Sequence, residues 1–288
     1  MAPAVRIDAH VHFWRHNASE YGWIDDSMAA LRRDFLPEDA AGEMRAAGID
    51  ACIAVQTRQT LEETRWLLAL AGQHAFIAGV VGWVDLRAAD LDAQLEAVTT
   101  HPKLVGIRHI VQAEPDDFLL GDTFRRGVAR LARHGLTYDI LVYARQLRAA
   151  IDFAEALPDQ RLVLDHLGKP DIRNGAFEGW RRDLDRLAAL PNVYAKLSGL
   201  VTEADWRHWT VASLHRYINA ALDSFGPERL MIGSDWPVCT VAGEYRDVLD
   251  VVRSALAGRP PAERDAVLGG TAQRFWNLSD VSHTERSV

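Results

Sequence analysis

Residues 5–13 read VRIDAHVHF and residues 229–235 read RLMIGSD. Both are mostly apolar runs of strand length, and both end in side chains suited to chemistry. Six similar runs lie between them: DACIAVQ (50–56), FIAGVVGWVD (76–85), LVGIRHI (104–110), LTYDILV (136–142), RLVLDHLG (161–168) and VYAKLSGL (193–200). They alternate with stretches of helical spacing such as LEETRWLLALAGQ (61–73), LDAQLEAVTT (91–100), GDTFRRGVARLARHG (121–135) and WRRDLDRLAAL (180–190). Eight strands alternating with helices predict a parallel sheet wound in one sense, which closes as a (β/α)₈ TIM barrel of the α/β class. An open doubly wound sheet is the competing arrangement, but no GxGxxG turn follows the first strand.

The 288 residues suit one barrel domain spanning 1–288, and a 48% hydrophobic, 25% charged composition is ordinary for a globular protein. A net charge of −8 argues against nucleic acid or an anionic membrane as partner, since both need a positive field. No run approaches the roughly 18 apolar residues of a membrane span. The first residues, MAPAVRIDAHVHFW, lack the apolar core of a signal peptide. Cys52 and Cys239 form no CxxC pair and read as reduced thiols, so a cytoplasmic location is expected. The polar tail DVSHTERSV (280–288) is expected to fray.

Asp8, His10 and His12 alternate along the first strand, so a regular strand points them to one side, the barrel interior. Two histidines projecting together suit a transition metal or a polar pocket for a reacting ester. The plain alternative is a pair of buried, hydrogen-bonded histidines. Asp235 ends the last strand, where a buried carboxylate is costly unless it is paired or used. The alternative is a turn or helix-capping aspartate before Pro237. In a closed barrel the last strand adjoins the first, which makes Asp235 a neighbour of His10 and His12. Of Asp165 and His166, one faces inward, and His166 is the better candidate. Arg108 and His109 end the fourth strand, and a regular strand leaves open which of them faces in. Lys196 and Ser198 share one face of the seventh strand, either as site residues or as a buried hydrogen-bonded pair. Asp139 is expected only to bond polar neighbours inside the barrel. Trp14, Trp83 and Trp236 lie at strand ends, where packing and sugar stacking compete as roles. The long connection from Asn17 to Phe35 carries Tyr21 and Trp23 and is expected to wall the barrel mouth.

The motifs DxHxHFW, LDHLGKP, AKLSGL and GSDWPV, spread in order over almost the whole chain, resemble those of the amidohydrolase superfamily. Within it they are similar to the amidohydrolase-2 branch of sugar-lactone hydrolases, those acting on L-fuconolactone and L-rhamnonolactone among them. The resemblance implies a distorted barrel and hydrolysis of a cyclic ester. It matches His10 and His12 to the strand-one pair, His166 to the strand-six histidine, and Asp235 to the aspartate that serves as general base. The chain departs from the superfamily's two-metal pattern. Arg108-His109 stand where a bridging carboxylated lysine is found, and Asp139 stands where a metal-binding histidine is found. The resemblance therefore implies either one divalent ion such as Zn²⁺, held by His10, His12 and Asp235, or catalysis without metal.

The expected reaction is attack of water on the carbonyl of a sugar lactone, with Asp235 as base and His10, His12 and His166 around the carbonyl. Arg108, His109 and Lys196 are expected to bond ring hydroxyls, and Trp14, Trp236, Tyr21 and Trp23 to flank the ring. Two rivals are a metal-dependent decarboxylase of the same superfamily and a non-catalytic ligand-binding barrel. The second would have no use for Asp235.

Overall fold

The computed structural model describes residues 4–278 and residue 281; the rest of the expected tail lies outside the described residues. Eight parallel strands form one sheet in chain order. They are β1 (Ile7–Val11), β2 (Ala51–Val55), β3 (Ile77–Gly82), β4 (Leu104–His109), β5 (Thr137–Ile140), β6 (Leu162–Leu164), β7 (Val193–Leu197) and β8 (Leu230–Ile232). A helix follows each one: α1 (Pro37–Ala46), α2 (Leu61–Gln73), α3 (Leu91–Thr99), α4 (Asp122–Leu131), α5 (Leu147–Glu155), α6 (Glu178–Ala188), α7 (Val211–Phe225) and α8 (Tyr245–Ala255). The sheet closes where Val11 bridges Trp236, with His12 N donating to Trp236 O at 2.7 Å and Asp235 N donating to His10 O at 2.9 Å. This is the predicted (β/α)₈ barrel, and the open sheet is excluded.

The strands are buried throughout because helices cover the outside and side chains fill the inside. At the end where the strands begin, Ile7, Ala9, Ile53, Val55, Val163 and Met231 pack with Phe275 and Trp276. These aromatics come from the last segment of the chain, which includes short helices at Pro261–Asp265 and Thr271–Phe275. Polar side chains thus collect at the other end, where the strands finish.

Strand β1 is not regular. Asp8 pairs with Cys52 but Val11 pairs with Ala54, so one extra residue is accommodated between them. The bulge changes which residues face inward. Ile7 and Ala9 join the inner core, and His10 and His12 then also face in. Asp8, expected to share the side of the histidines, instead faces the helical layer. Its Oδ1 accepts from His10 N at 3.0 Å and Ser234 N at 2.9 Å, and its Oδ2 accepts from Tyr245 Oη at 2.9 Å. It holds the seam between the first and last strands.

The connection after β1 is pinched at its base by two backbone hydrogen bonds between Trp14 and Phe35, both 2.9 Å. Trp14 is buried there, packed on Tyr21 and Phe35, with its indole N–H donating to Arg33 O at 2.9 Å. Cys52 and Cys239 are buried free thiols. No helix among the described residues is long and apolar enough to cross a membrane.

Candidate active site

Four side chains from three strand ends converge. His10 Nε2 and His12 Nε2 lie 3.1 Å apart. Asp235 Oδ1 lies 3.3 Å from His12 Nε2, 3.7 Å from His10 Nε2 and 3.8 Å from His166 Nε2. His12 Nδ1 faces Val55 O at 2.8 Å. A carbonyl only accepts, so Nδ1 carries the proton and Nε2 presents a lone pair to the centre. His166 Nδ1 lies 2.8 Å from Ser198 Oγ, which orients its ring.

Two of these residues sit on left-handed backbone. Asp235 has φ 61°, and β6 runs into a tight turn in which His166, Leu167, Gly168 and Lys169 have φ 53°, 52°, 68° and 49°. Left-handed conformations cost non-glycine residues about 1–2 kcal/mol each, so surrounding contacts must hold them. Trp180 does so by donating from its indole to Leu167 O at 2.8 Å. The turn overrides strand alternation, which is why Asp165 and His166 both face inward rather than only one of them. Val163 faces the barrel interior, so strand alternation carries Asp165 in and the turn adds His166 beside it; the expectation that only His166 faces inward missed Asp165.

Beneath the histidines lies a buried charge network. Lys196 Nζ is 2.5 Å from Asp139 Oδ2, 2.9 Å from Asp165 Oδ1 and 3.2 Å from His10 Nδ1. Arg108 Nη1 is 3.0 Å from Asp165 Oδ2 and 3.3 Å from His10 Nε2, and its other Nη donates to Gln56 O. Burial pushes Asp139 up to about 6 despite the attraction of Lys196. Asp165 is held below the usual carboxylate range, because Lys196, His10 and Arg108 together outweigh its burial. Burial also opposes ionisation of Asp235, but His166, His12 and His10 reverse the balance and keep it below the usual range. Burial pushes His166 down to about 4 and lowers His10 as well. Near neutrality Asp235 is a carboxylate, and the His10 and His166 imidazoles are uncharged.

That donor set fits a divalent transition ion. His10, His166 and Asp235 each offer an atom within 4.8 Å of the others, and His12 adds the lone pair noted above. The Arg108 guanidinium beside His10 is a permanent positive charge where a second ion would need an acidic bridge.

The centre opens into a cavity of about 510 Å³. His12, His166, Asp235 and Arg108 line it, as expected, and so does Trp23, which is 42% exposed at its rim. Other expected contacts lie elsewhere. Lys196 is fully buried within the network and does not line the cavity. Strand β4 is regular where it pairs with β5, so Arg108 points in and His109 points out. His109 stacks on Phe118 and lies 3.0 Å from Glu114, while the Trp83 indole donates to its Nδ1 at 3.4 Å. Trp14, Trp236 and Tyr21 are core residues rather than cavity walls: Trp236 packs edge-on against Phe13 and Phe35. The walls instead include Thr57, Gln59, Tyr143, Lys169, Glu203 and Trp206, which reasoning from strand ends did not find. Thr57 is held by buried Glu63, which accepts from Thr57 N at 3.0 Å and Thr57 Oγ1 at 2.5 Å.

The sequence profile of the Amidohydrolase family matches residues 7–278. The chain is 48% identical to an L-fucono-1,5-lactonase of Burkholderia multivorans, across 96% of this chain and 97% of that protein. It is 38% identical to an L-fucono-1,5-lactonase of Burkholderia ambifaria, with the same coverage of 96% and 97%. The crystal structure of a Burkholderia multivorans amidohydrolase with bound zinc superposes with a TM-score of 0.93 at 46% identity, covering 96% of this chain and 100% of the other. The motifs read from the strand ends, the closed barrel and these similarities agree: the chain belongs to the Amidohydrolase family.

Proposed function

We propose that the protein opens the cyclic ester of a sugar lactone, an aldono-1,5-lactone such as L-fucono-1,5-lactone, to give the sugar acid. The observation that carries this reading is a buried, ionised Asp235 among three imidazoles at the floor of an open cavity. Sequence identity of 48% and 38% to proteins named for that lactonase supports it.

Asp235 takes a proton from water as the water oxygen bonds to the lactone carbonyl carbon. The ring C–O bond then breaks, and the same proton passes from Asp235 to the leaving ring oxygen. Arg108 and His166, both on the cavity wall, position the carbonyl and stabilise the charge that develops on its oxygen. The related Burkholderia multivorans structure has bound zinc; one such ion would be held here by His10, His12 or His166 together with Asp235 and would polarise the carbonyl. Trp23 and Trp206 offer apolar faces to the C–H side of the ring.

The test is a lactone panel followed by acid release with a pH indicator, with and without a chelator. Aldonolactones are expected to turn over, with preference set by hydroxyl stereochemistry. A site that bonds hydroxyls rejects rings without them by roughly 10⁴, so γ-butyrolactone and δ-valerolactone should be poor substrates. Release of CO₂ from an aromatic or unsaturated acid, with no lactone hydrolysed, would replace this reading with a decarboxylase.

A further inference from the structure

Lys169 and Glu203 come from different connections, after β6 and β7, and meet on the cavity wall. Their head groups lie 3.4 Å apart, with side chains only 16% and 18% exposed. Charge-assisted hydrogen bonds are usually about 2.7–2.9 Å, so this pair is held near contact without a tight bond. Among the described residues neither head group has another oppositely charged partner. Lys169 Nζ lies 5.4 Å from the centre of the Tyr143 ring, which fixes its side against the wall.

Strained backbone brings the two together. Lys169 takes φ 49° at the end of the left-handed turn, where its N–H donates to His166 O at 2.9 Å. The same turn therefore sets both His166 and Lys169 on the cavity. Arg173 N donates to Glu203 O at 3.0 Å and ties the two connections to each other. Burial pushes the Glu203 carboxyl up, against the pull of Lys169.

A mostly buried ion pair of loose geometry contributes little to stability, because desolvation offsets the attraction. Its hydrogen-bonding capacity is largely unspent: an ammonium has three donors and a carboxylate about four acceptor sites. Adjacent hydroxyls on a sugar ring present a donor and an acceptor side by side, which is the complement of this pair. The other charged groups on the cavity, Arg108 and Asp235, are engaged with the reacting centre.

We propose that Lys169 and Glu203 are specificity-determining residues that grip two neighbouring ring hydroxyls, Lys169 donating to one and Glu203 accepting from the other. This rests on the lactonase reading and extends it from the ester to the polyol. Recognition by a fixed donor and a fixed acceptor selects the relative orientation of two adjacent hydroxyls. Ring isomers inverted at one of those carbons lose one of the two bonds.

The experiment compares wild type with Glu203→Gln, Lys169→Met and Lys169→Arg, all checked by thermal unfolding. Each is assayed on a preferred aldono-1,5-lactone and on analogues lacking one ring hydroxyl at a time. Binding of the matching sugar lactams, which are not hydrolysed, is followed by tryptophan fluorescence. Lys169→Met and Glu203→Gln should lose about tenfold to a hundredfold in kcat/KM and in lactam affinity on the full substrate. The loss should fall mainly on KM. On the analogue lacking the gripped hydroxyl the loss should shrink to a few-fold, and Lys169→Arg should recover part of the discrimination. Equal losses on every analogue, or no loss on the full substrate, overturn the assignment while leaving the lactonase reading intact. A wild-type protein that neither binds a sugar lactam nor hydrolyses a sugar lactone overturns both.

Discussion

A Cβ built on Gly199 would lie 2.6 Å from His166 Nδ1. Only a residue without a side chain lets the end of β7 come this close to the imidazole. Its neighbour Ser198 supplies the hydroxyl 2.8 Å from the same nitrogen. The left-handed turn after β6 holds the ring from the opposite direction, so His166 is clamped between two strand ends.

Gly199→Ala should therefore displace the His166 ring. Gly199 also has φ 63°, which adds about 1–2 kcal/mol of backbone strain for alanine. A misplacement of about 1 Å in a positioned group can cost roughly 10²-fold in rate. The expected result is a loss of that size in kcat/KM on a sugar lactone in a protein that still folds. Turnover close to wild type would mean that the imidazole position has slack and that the clamp is not needed.

Asp235→Asn keeps the shape of the side chain and removes the proton acceptor. Loss of a positioned general base typically costs about 10²–10⁴ in rate. The fall should appear in kcat, with circular dichroism and unfolding temperature little changed. Near-native turnover by the Asp235→Asn protein would take the base role away from this carboxylate.

The sequence carried most of the barrel and the centre of the site, because both follow from strand periodicity. Helix α2 is legible to the residue, since Thr60 caps it by accepting from Glu63 N at 3.1 Å and the apolar face repeats regularly. His10 and His12 are placed correctly relative to each other by their spacing, two residues apart on one strand. Asp8 is misplaced by that same spacing, because a bulge in β1 has no signature in the residue types around it. Asp165 follows the alternation set by Val163, and His166 joins it on the inside because His166, Leu167 and Lys169 adopt left-handed backbone, which sequence preferences argue against. Lys169 and Glu203 are invisible for a different reason. They lie on connections, where no repeat tells which side chains meet. Trp14 and Trp236 show the opposite error, since large aromatics at strand ends read as mouth residues and instead fill the core under it.

Lys196 illustrates the consequence for mutagenesis. Its place on a strand face suggests contact with substrate hydroxyls, but it is fully buried between Asp139 and Asp165. Lys196→Met would leave two carboxylates facing each other without their shared cation. Breaking a buried pair by removing one partner typically costs about 3–5 kcal/mol. Chemical denaturation of Lys196→Met should show a loss of that order, and His10 should lose its orientation with it. A variant of unchanged stability with only a raised KM would instead put Lys196 in contact with substrate.

The last prediction concerns metal content. The centre offers imidazole nitrogens and one carboxylate, a donor set of the kind that holds a single zinc ion. A second ion would need a further anionic bridge on the β4 side. That side presents Arg108, whose guanidinium already sits 3.3 Å from His10 Nε2. Asp139, the acidic group on β5, is committed to Lys196 at 2.5 Å. Elemental analysis of protein grown with zinc and dialysed against metal-free buffer should therefore give at most one zinc per chain. His10→Ala should lower that content, because it removes one member of the compact trio. Chelation followed by zinc addition, assayed on a sugar lactone, then tells whether the bound ion contributes to turnover. Two tightly bound metals per chain would show that Arg108 moves away when the site is loaded, and would move the chemistry to the two-metal type.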